Sequence, residues 1–233
     1  MALPTSQRTL SEPRHPDQVR FRLVLLAATA VCTVWLTYRA LVLSTTGQRL
    51  DQFAMVESME AAPTSADHLR DLMQAVSVPS IGVAVGVLAA IAVARSRPRL
   101  GVAAAATVLG ANVTTQALKH WLVRPDLLHL GSANVNSFPS GHVTVVASLA
   151  AGALLVMPRR AQPTVGVAGI AATAVTALAT VALGWHRPSD VIGAIGVVGA
   201  WAAIAGAWAT GRVSTPSEPA PPSRSRVVVQ SVA

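Results

Sequence analysis

The chain has 233 residues, of which 52% are hydrophobic and only 12% are charged. That charged share is about half that of a soluble globular domain, so the composition excludes a soluble enzyme, a disordered chain and a coiled coil. The net charge is +8, but the basic residues lie in short clusters between apolar runs rather than on one face. This distribution indicates membrane topology and argues against nucleic acid as a partner.

Six apolar stretches have about the ~20 residues that a helix needs to cross a bilayer. They cover residues 21–43, 77–94, 100–118, 141–157, 164–184 and 190–209. None alternates in the manner of a β-barrel strand, so the sequence predicts an all-α, polytopic membrane protein with a six-transmembrane-helix bundle over residues 21–210. The tails, 1–20 and 211–233, are rich in Pro, Ser and Arg and are predicted to be disordered.

The basic residues predict the orientation of the bundle. The N-terminal region, the loops after the second and fourth stretches and the C-tail together hold 12 of the 18 Lys and Arg residues. The positive-inside rule then places both termini in the cytoplasm and the first, third and fifth loops outside the cell membrane. In the first and longest loop, residues 44–76, Ser65 is predicted to cap a short helix whose apolar face contains Leu69, Leu72, Met73 and Val76.

Three polar clusters occur at predicted outer helix ends, where polar groups are costly and therefore informative. The first closes the third stretch: Asn112, Gln116 and Lys119 share a helical face, and Arg124 precedes Pro125, which is predicted to end the helix. Two cations at a helix end are also compatible with simple snorkelling to the interface.

The second cluster is the sequence Phe138 to His142, which opens the fourth stretch. Pro139 and Ser140 are typical of a helix start, and the backbone N–H groups of Ser140 and Gly141 are predicted to be free to bind an anion. His142 follows in the first turn. A lone His is more often structural than catalytic, and that alternative stays open for His142 taken alone.

The third cluster opens the sixth stretch and contains His186 and Asp190, four residues apart. A carboxylate at this spacing can bind one ring nitrogen and leave the other free, although a capping Asp beside an interfacial His is the alternative. Together the three clusters predict an outward-facing anion site with a nucleophile and an acid/base. Phosphate is the natural anion, and the absence of a Walker loop and of an acidic Mg²⁺ cluster argues against nucleotide hydrolysis.

At these residues the sequence resembles the type 2 phosphatidic acid phosphatase superfamily, the integral membrane lipid phosphate phosphatases related to the vanadium haloperoxidases. The family pattern has three parts, Lys-x6-Arg-Pro, Pro-Ser-Gly-His and Ser-Arg-x5-His-x3-Asp. The second part matches in full, the third matches in its second half and the first matches at its lysine. The matching residues are Lys119, Pro139, Ser140, Gly141, His142, His186 and Asp190.

The sequence departs from the family pattern at two arginines. Asp126 stands where the first part has Arg, and Arg124, two residues earlier, is the candidate replacement. Thr180 and Ala179 stand in place of the Arg and Ser of the third part, so one phosphate contact is either missing or supplied by another residue such as Arg187.

The resemblance implies hydrolysis of a lipid phosphate or a polyprenyl diphosphate at the outer face of the membrane, without a metal or other cofactor. In this scheme His186 is the nucleophile that forms a phosphohistidine, Asp190 orients it, and His142 is the acid/base. Lys119, Arg124, Ser140 and Gly141 bind the substrate phosphate. The alternatives are a non-catalytic lipid-phosphate binder or transporter and a lipid phosphotransferase. The oligomeric state is not predicted.

Overall fold

A computed structural model describes residues 16–62, 70, 71, 73, 78–130 and 136–210. All the regular secondary structure in these residues is helical, which confirms the predicted all-α class. The helices are α1 (Pro16–Thr37), α2 (Thr45–Glu60), α3 (Val78–Ala94), α4 (Pro98–Trp121), α5 (Gly141–Val156), α6 (Gln162–Ala182) and α7 (Pro188–Thr210). A short π-helical segment, Tyr38–Val42, continues α1. Every helix except α2 lies on one of the six apolar stretches.

The first helix begins earlier than its apolar stretch. Pro16 has the fixed φ that suits a first helical position, and Asp17 places negative charge in the first turn. Residues 16–20, predicted to belong to a disordered tail, are therefore helical. The remaining residues of the two predicted tails lie outside the described residues.

Three of the described helices are long and apolar enough to cross a membrane: Asp17–Val42, Gln162–Ala182 and Pro188–Thr210. The apolar helices Gly82–Ala94 and Gly141–Val156 are shorter. The chain is a multi-pass membrane protein, and the count of six spans remains a prediction. Helix α4 has 24 residues but carries Arg99, Asn112, Gln116 and Lys119, which lower its mean hydropathy.

The bundle packs through small residues. Helix α1 lies along α7, α4 packs against α3, α5 and α7, and α5 packs against α6 and α7. Gly110 of α4 admits the indole of Trp201, whose Nε1 donates a hydrogen bond to Thr114 Oγ1 at 3.0 Å. Close approach of helix backbones is the usual basis of packing in lipid, where apolar burial contributes little.

Helix α2 was not predicted, because the first loop was expected to hold only a short helix beginning at Ser65. That predicted helix falls largely outside the described residues. Instead Ser44 caps α2, its Oγ accepting the Gly47 N–H at 3.0 Å. The chain turns back so tightly here that a Cβ on Gly47 would lie 2.0 Å from the Ala40 carbonyl oxygen, so only glycine fits.

The up-and-down connections bring three helix termini to one end of the bundle. These are the C-terminus of α4 and the N-termini of α5 and α7, and α2 lies against α6 and α7 at the same end. At the opposite end, Arg95 donates to the Val156 carbonyl and Arg99 to the Trp208 carbonyl. The residues of the three polar clusters are therefore separated from this arginine-rich end by the length of the bundle.

Candidate active site

His186 and Asp190 form the centre of the site. The His186 Nδ1 lies 3.2 Å from Asp190 Oδ2, as the four-residue spacing predicted. The same oxygen accepts the Arg187 N–H at 3.0 Å, and Oδ1 accepts from Arg124 Nη2 at 2.9 Å. Asp190 is completely buried, so these contacts replace water around its carboxylate. The arrangement fixes the imidazole plane and leaves Nε2 as the ring nitrogen that Asp190 does not bind.

The N-terminus of α5 is joined directly to this pair. Ser140 is the N-cap, and its Oγ accepts the Val143 N–H at 3.4 Å. The Ser140 N–H, which was predicted to be free for an anion, instead donates to the Asp190 carbonyl oxygen at 2.9 Å. That prediction is therefore wrong for Ser140: the residue is fully buried, and it connects α5 to α7.

Gly141 opens a space beside two donors. A Cβ at this position would lie 3.7 Å from Lys119 Nζ and 3.9 Å from Gln116 Nε2. The N–H groups of Gly141 and His142 begin the helix, where intrahelical acceptors do not reach, and the helix dipole adds positive potential. The structure thus combines an ammonium, an amide and a helix N-terminus around one space without a side chain, which is suited to a phosphate group.

The His142 ring lies near two other rings, that of the candidate nucleophile His186 and that of Trp185. The His142 ring centroid lies 6.3 Å from that of His186 in an edge-to-face arrangement, and 5.5 Å from that of Trp185 in a tilted one. Two imidazoles across one gap can act on opposite sides of a bound phosphoryl group. The structure therefore brings together all three predicted catalytic residues: His142, His186 and Asp190.

Arg124 takes a position that the sequence did not predict. Helix α4 ends at Trp121, and Arg124 lies in the extended segment beyond it. The residue is 95% buried. Its guanidinium contacts Asp190, the Ser189 hydroxyl at 3.1 Å and, through Nη1, Asp51 Oδ2 at 3.6 Å. Its Nε is buried and has no hydrogen-bond partner among the described residues.

The position at which the family pattern has its second arginine is filled by a small side chain. Thr180 is fully buried, and its hydroxyl donates to the Ala177 carbonyl at 3.0 Å. Arg187, the candidate replacement, points toward α2, where Nε and Nη2 donate to Gln52 Oε1 at 3.2 and 3.1 Å. Burial lowers the pKa of Arg187 below its usual value, and the nearby positive charge of Arg124 acts in the same direction.

Three residues of α2 contact the site and were missed by the sequence analysis. Asp51 accepts the Ser189 N–H and hydroxyl at 2.8 and 2.5 Å, and Gln52 holds Arg187. Gln48 Nε2 donates to the Pro125 carbonyl at 2.7 Å. The sequence did contain a signal for this helix: polar residues spaced i, i+3, i+4 follow Ser44, which is a typical helix N-cap residue. The segment was interpreted as part of a loop. Burial raises the pKa of Asp51, an effect that its hydrogen bonds from Ser189 oppose.

The described residues contain no group of three His, Cys, Asp or Glu side chains arranged to hold a metal ion.

Comparison of the chain with known protein families gives a match to one of them. The model of the PAP2 superfamily matches residues 99–213. This part of the chain belongs to the PAP2 superfamily. The PAP2 region contains every site residue predicted from the sequence, whereas α2 lies outside it.

A solved structure shows the same fold. The crystal structure of the first transmembrane PAP2 type phosphatidylglycerolphosphate phosphatase from Bacillus subtilis superposes with a TM-score of 0.55 at 18% sequence identity. The match covers 81% of this chain and 92% of that one, so it extends beyond the PAP2 region. A comparison with curated proteins gives no significant match.

Proposed function

We propose that the protein is a lipid phosphate phosphatase that acts through a phosphohistidine intermediate. The observation that carries this proposal is the meeting of the His186–Asp190 pair with His142 and with the space beside Gly141 and Lys119. Membership of the PAP2 superfamily supports the reaction class. The similar structure from Bacillus subtilis is described as a phosphatidylglycerolphosphate phosphatase, which supports a lipid substrate.

In the proposed first step, His186 Nε2 attacks phosphorus in line with the leaving oxygen. An N–P bond forms as the P–O bond breaks, and His142 donates its proton to the leaving lipid oxygen. Asp190 stabilises the positive charge on the His186 ring. In the second step His142 removes a proton from water, the water oxygen attacks phosphorus, and the N–P bond breaks to release phosphate and restore His186.

The non-bridging oxygens need donors that are in place before the reaction. Lys119 Nζ and the N–H groups that open α5 at Gly141 supply them in this proposal. Arg124 remains a predicted phosphate ligand, and its contacts with Asp190 also support a second role in holding the carboxylate. Ser140 contributes by placing the helix N-terminus.

The substrate is proposed to be a lipid phosphate monoester or a polyprenyl diphosphate on the outer leaflet. The site lies at one end of the bundle, and arginines cluster at the other, which supports a cytoplasmic location for that other end. A reporter fused after Arg212 is expected to be cytoplasmic, and one placed in the segment after Trp121 is expected to be external. The opposite result would move the site to the inner leaflet.

The experiment is a phosphate-release screen with purified protein in detergent micelles over phosphatidic acid, phosphatidylglycerol phosphate and polyprenyl diphosphates. Wild-type protein should release phosphate in the presence of EDTA, orthovanadate should inhibit it, and His186→Ala should abolish it. His120→Ala is the matched control, because His120 is an exposed histidine of α4. Full activity of His186→Ala would contradict the assigned nucleophile.

One observation favours a second candidate, a non-catalytic lipid-phosphate binder or transporter. The buried Thr180 replaces a family arginine, and loss of one charge-assisted contact costs about 1.5–3 kcal/mol of binding. Binding of the same lipids by wild-type protein without any phosphate release would support this candidate over the phosphatase.

A further inference from the structure

The outer helix α2 contacts the site through a single face. Gln48, Asp51 and Gln52 are spaced i, i+3, i+4 and so project from one side of the helix. Each holds a different segment: Gln48 the Pro125 carbonyl, Asp51 the Ser189 N–H and hydroxyl, and Gln52 the Arg187 guanidinium. The helix is capped at Ser44 and tied to the end of α1 by Gln48 Nε2, which also donates to the Val42 carbonyl at 2.7 Å.

The contacts of Asp51 lead to Asp190 by two short routes. Through Ser189, Asp51 fixes the residue that precedes Asp190 in the first turn of α7. The second route runs through Arg124, whose Nη1 lies 3.6 Å from Asp51 and whose Nη2 lies 2.9 Å from Asp190. By this contact Asp51 fixes the cation that is bound to the Asp190 carboxylate. The Ser189 hydroxyl joins the routes, since it donates to Asp51 and accepts from Arg124.

We infer that this face of α2 positions the nucleophile pair, with Asp51 acting through Ser189 and Arg124 as a positioning residue for Asp190 and hence for His186. The inference rests on the proposed phosphatase function. Asp51 does not contact His186 in this arrangement. It holds the groups that orient the carboxylate.

The burial of these charges supports the inference. Asp51, Arg124 and Asp190 are each at least 95% buried. Arg187 and Lys119 are further charged groups that interact with them. A buried arginine without a carboxylate partner is strongly disfavoured. The position of the Arg124 guanidinium is therefore set by its two partners, Asp51 and Asp190. Removing the Asp51 charge leaves Arg124 with the Asp190 carboxylate and the Ser189 hydroxyl as its partners. A shift of the guanidinium then moves Asp190 Oδ1 and changes the angle at which the carboxylate meets His186 Nδ1.

The test compares Asp51→Asn with Glu57→Gln, which removes one carboxylate from an exposed position of the same helix. Both are assayed in detergent on whichever substrate the wild-type protein hydrolyses. Asp51→Asn should lower kcat on the order of 100-fold, the loss typical of a misplacement of about 1 Å, with KM changed less than about threefold. Glu57→Gln should match the wild-type protein in both constants.

A count of competent sites separates positioning from partial unfolding. Titration with orthovanadate, an analogue of the phosphoryl-transfer transition state, should show about one site per chain in Asp51→Asn, so that the loss lies in kcat per site. A loss explained by fewer vanadate-binding sites overturns the inference, as does a kcat equal to that of Glu57→Gln.

A milder variant keeps the inference testable if Asp51→Asn does not fold. Ser189→Ala removes the hydroxyl shared by Asp51 and Arg124 and should lower kcat about tenfold without raising KM; an unchanged kcat overturns the inference. Wild-type protein without any turnover would refute the proposed function itself. An active wild-type protein with a fully active Asp51→Asn variant would refute only the role of α2.

Discussion

The Asp190→Asn substitution tests the centre of the site most directly. The Asp190 carboxylate serves three donors, with Arg124 on Oδ1 and both Arg187 N–H and His186 Nδ1 on Oδ2. Asparagine has one acceptor oxygen, so its amide nitrogen must face a donor on one side or the other. If that nitrogen faces His186, it donates to Nδ1, which must then carry the ring's lone pair. The ring hydrogen moves to Nε2, and Nε2 loses the lone pair with which it would attack phosphorus.

The expected loss of activity is large. An Asp→Asn change that imposes the wrong His tautomer in Ser-His-Asp triads lowers kcat about 10⁴-fold, equivalent to about 5.4 kcal/mol of activation free energy. We expect a loss of similar size here. The protein should also lose about 3 kcal/mol of stability, which is the lower end of the cost of breaking a buried ion pair. The lower end applies because Arg124 keeps a second carboxylate partner, Asp51, at 3.6 Å.

The assay is phosphate release under saturating lipid substrate, with folding checked by gel filtration and thermal unfolding in the same detergent. Glu60→Gln is the control, since Glu60 is an exposed carboxylate of α2. A folded Asp190→Asn protein with activity within tenfold of wild type would refute the reasoning, because the carboxylate would then not determine the tautomer of the His186 ring.

Three further predictions follow from local geometry. Gly141→Ala should leave thermal stability unchanged, since the added Cβ would lie at an ordinary 3.7 Å from Lys119 Nζ. It should raise KM at least tenfold, about 1.4 kcal/mol, because the methyl group fills the space proposed for phosphate. An unchanged KM would contradict the placement of phosphate beside Gly141. Gly193→Ala should cost about 1–3 kcal/mol in thermal unfolding, because its Cβ would lie 2.4 Å from Phe138 Cε2, and a wild-type Tm would show that Phe138 can move. The raised pKa of Asp51 means that the folded state holds its proton more tightly than the unfolded state, so stability falls as pH rises from about 4 through the folded pKa. The Tm advantage of wild type over Asp51→Asn should therefore shrink as pH rises over that window, and a growing advantage would contradict the sign.

The helix positions follow from the sequence because lipid simplifies the problem. A backbone in the bilayer must satisfy its own hydrogen bonds, so an apolar stretch of about 20 residues is helical wherever it packs. The helix α2 was missed for the converse reason. It lies outside the apolar stretches, and its polar face becomes recognisable only when the groups it contacts are known.

The catalytic candidates were also accessible from sequence, since costly polar residues at helix ends have few explanations other than function. His186 and Asp190 are four residues apart, and their contact is local. The contacts of Arg124 and Ser140 are not local. Arg124 is a predicted phosphate ligand, and the structure adds its contacts with Asp190 and Asp51. The Ser140 N–H donates to the carbonyl of Asp190, fifty residues away in the chain.

The sequence by itself therefore determined the membrane class, the helical stretches and the set of candidate catalytic residues. These depend on composition and on spacing within one helix. Only the tertiary structure decided which cation meets which carboxylate, because Arg124 lies 66 residues from Asp190 and Asp51 lies 138 residues from Ser189. Pairing over such separations is set by helix packing, and no pattern within a single segment records it.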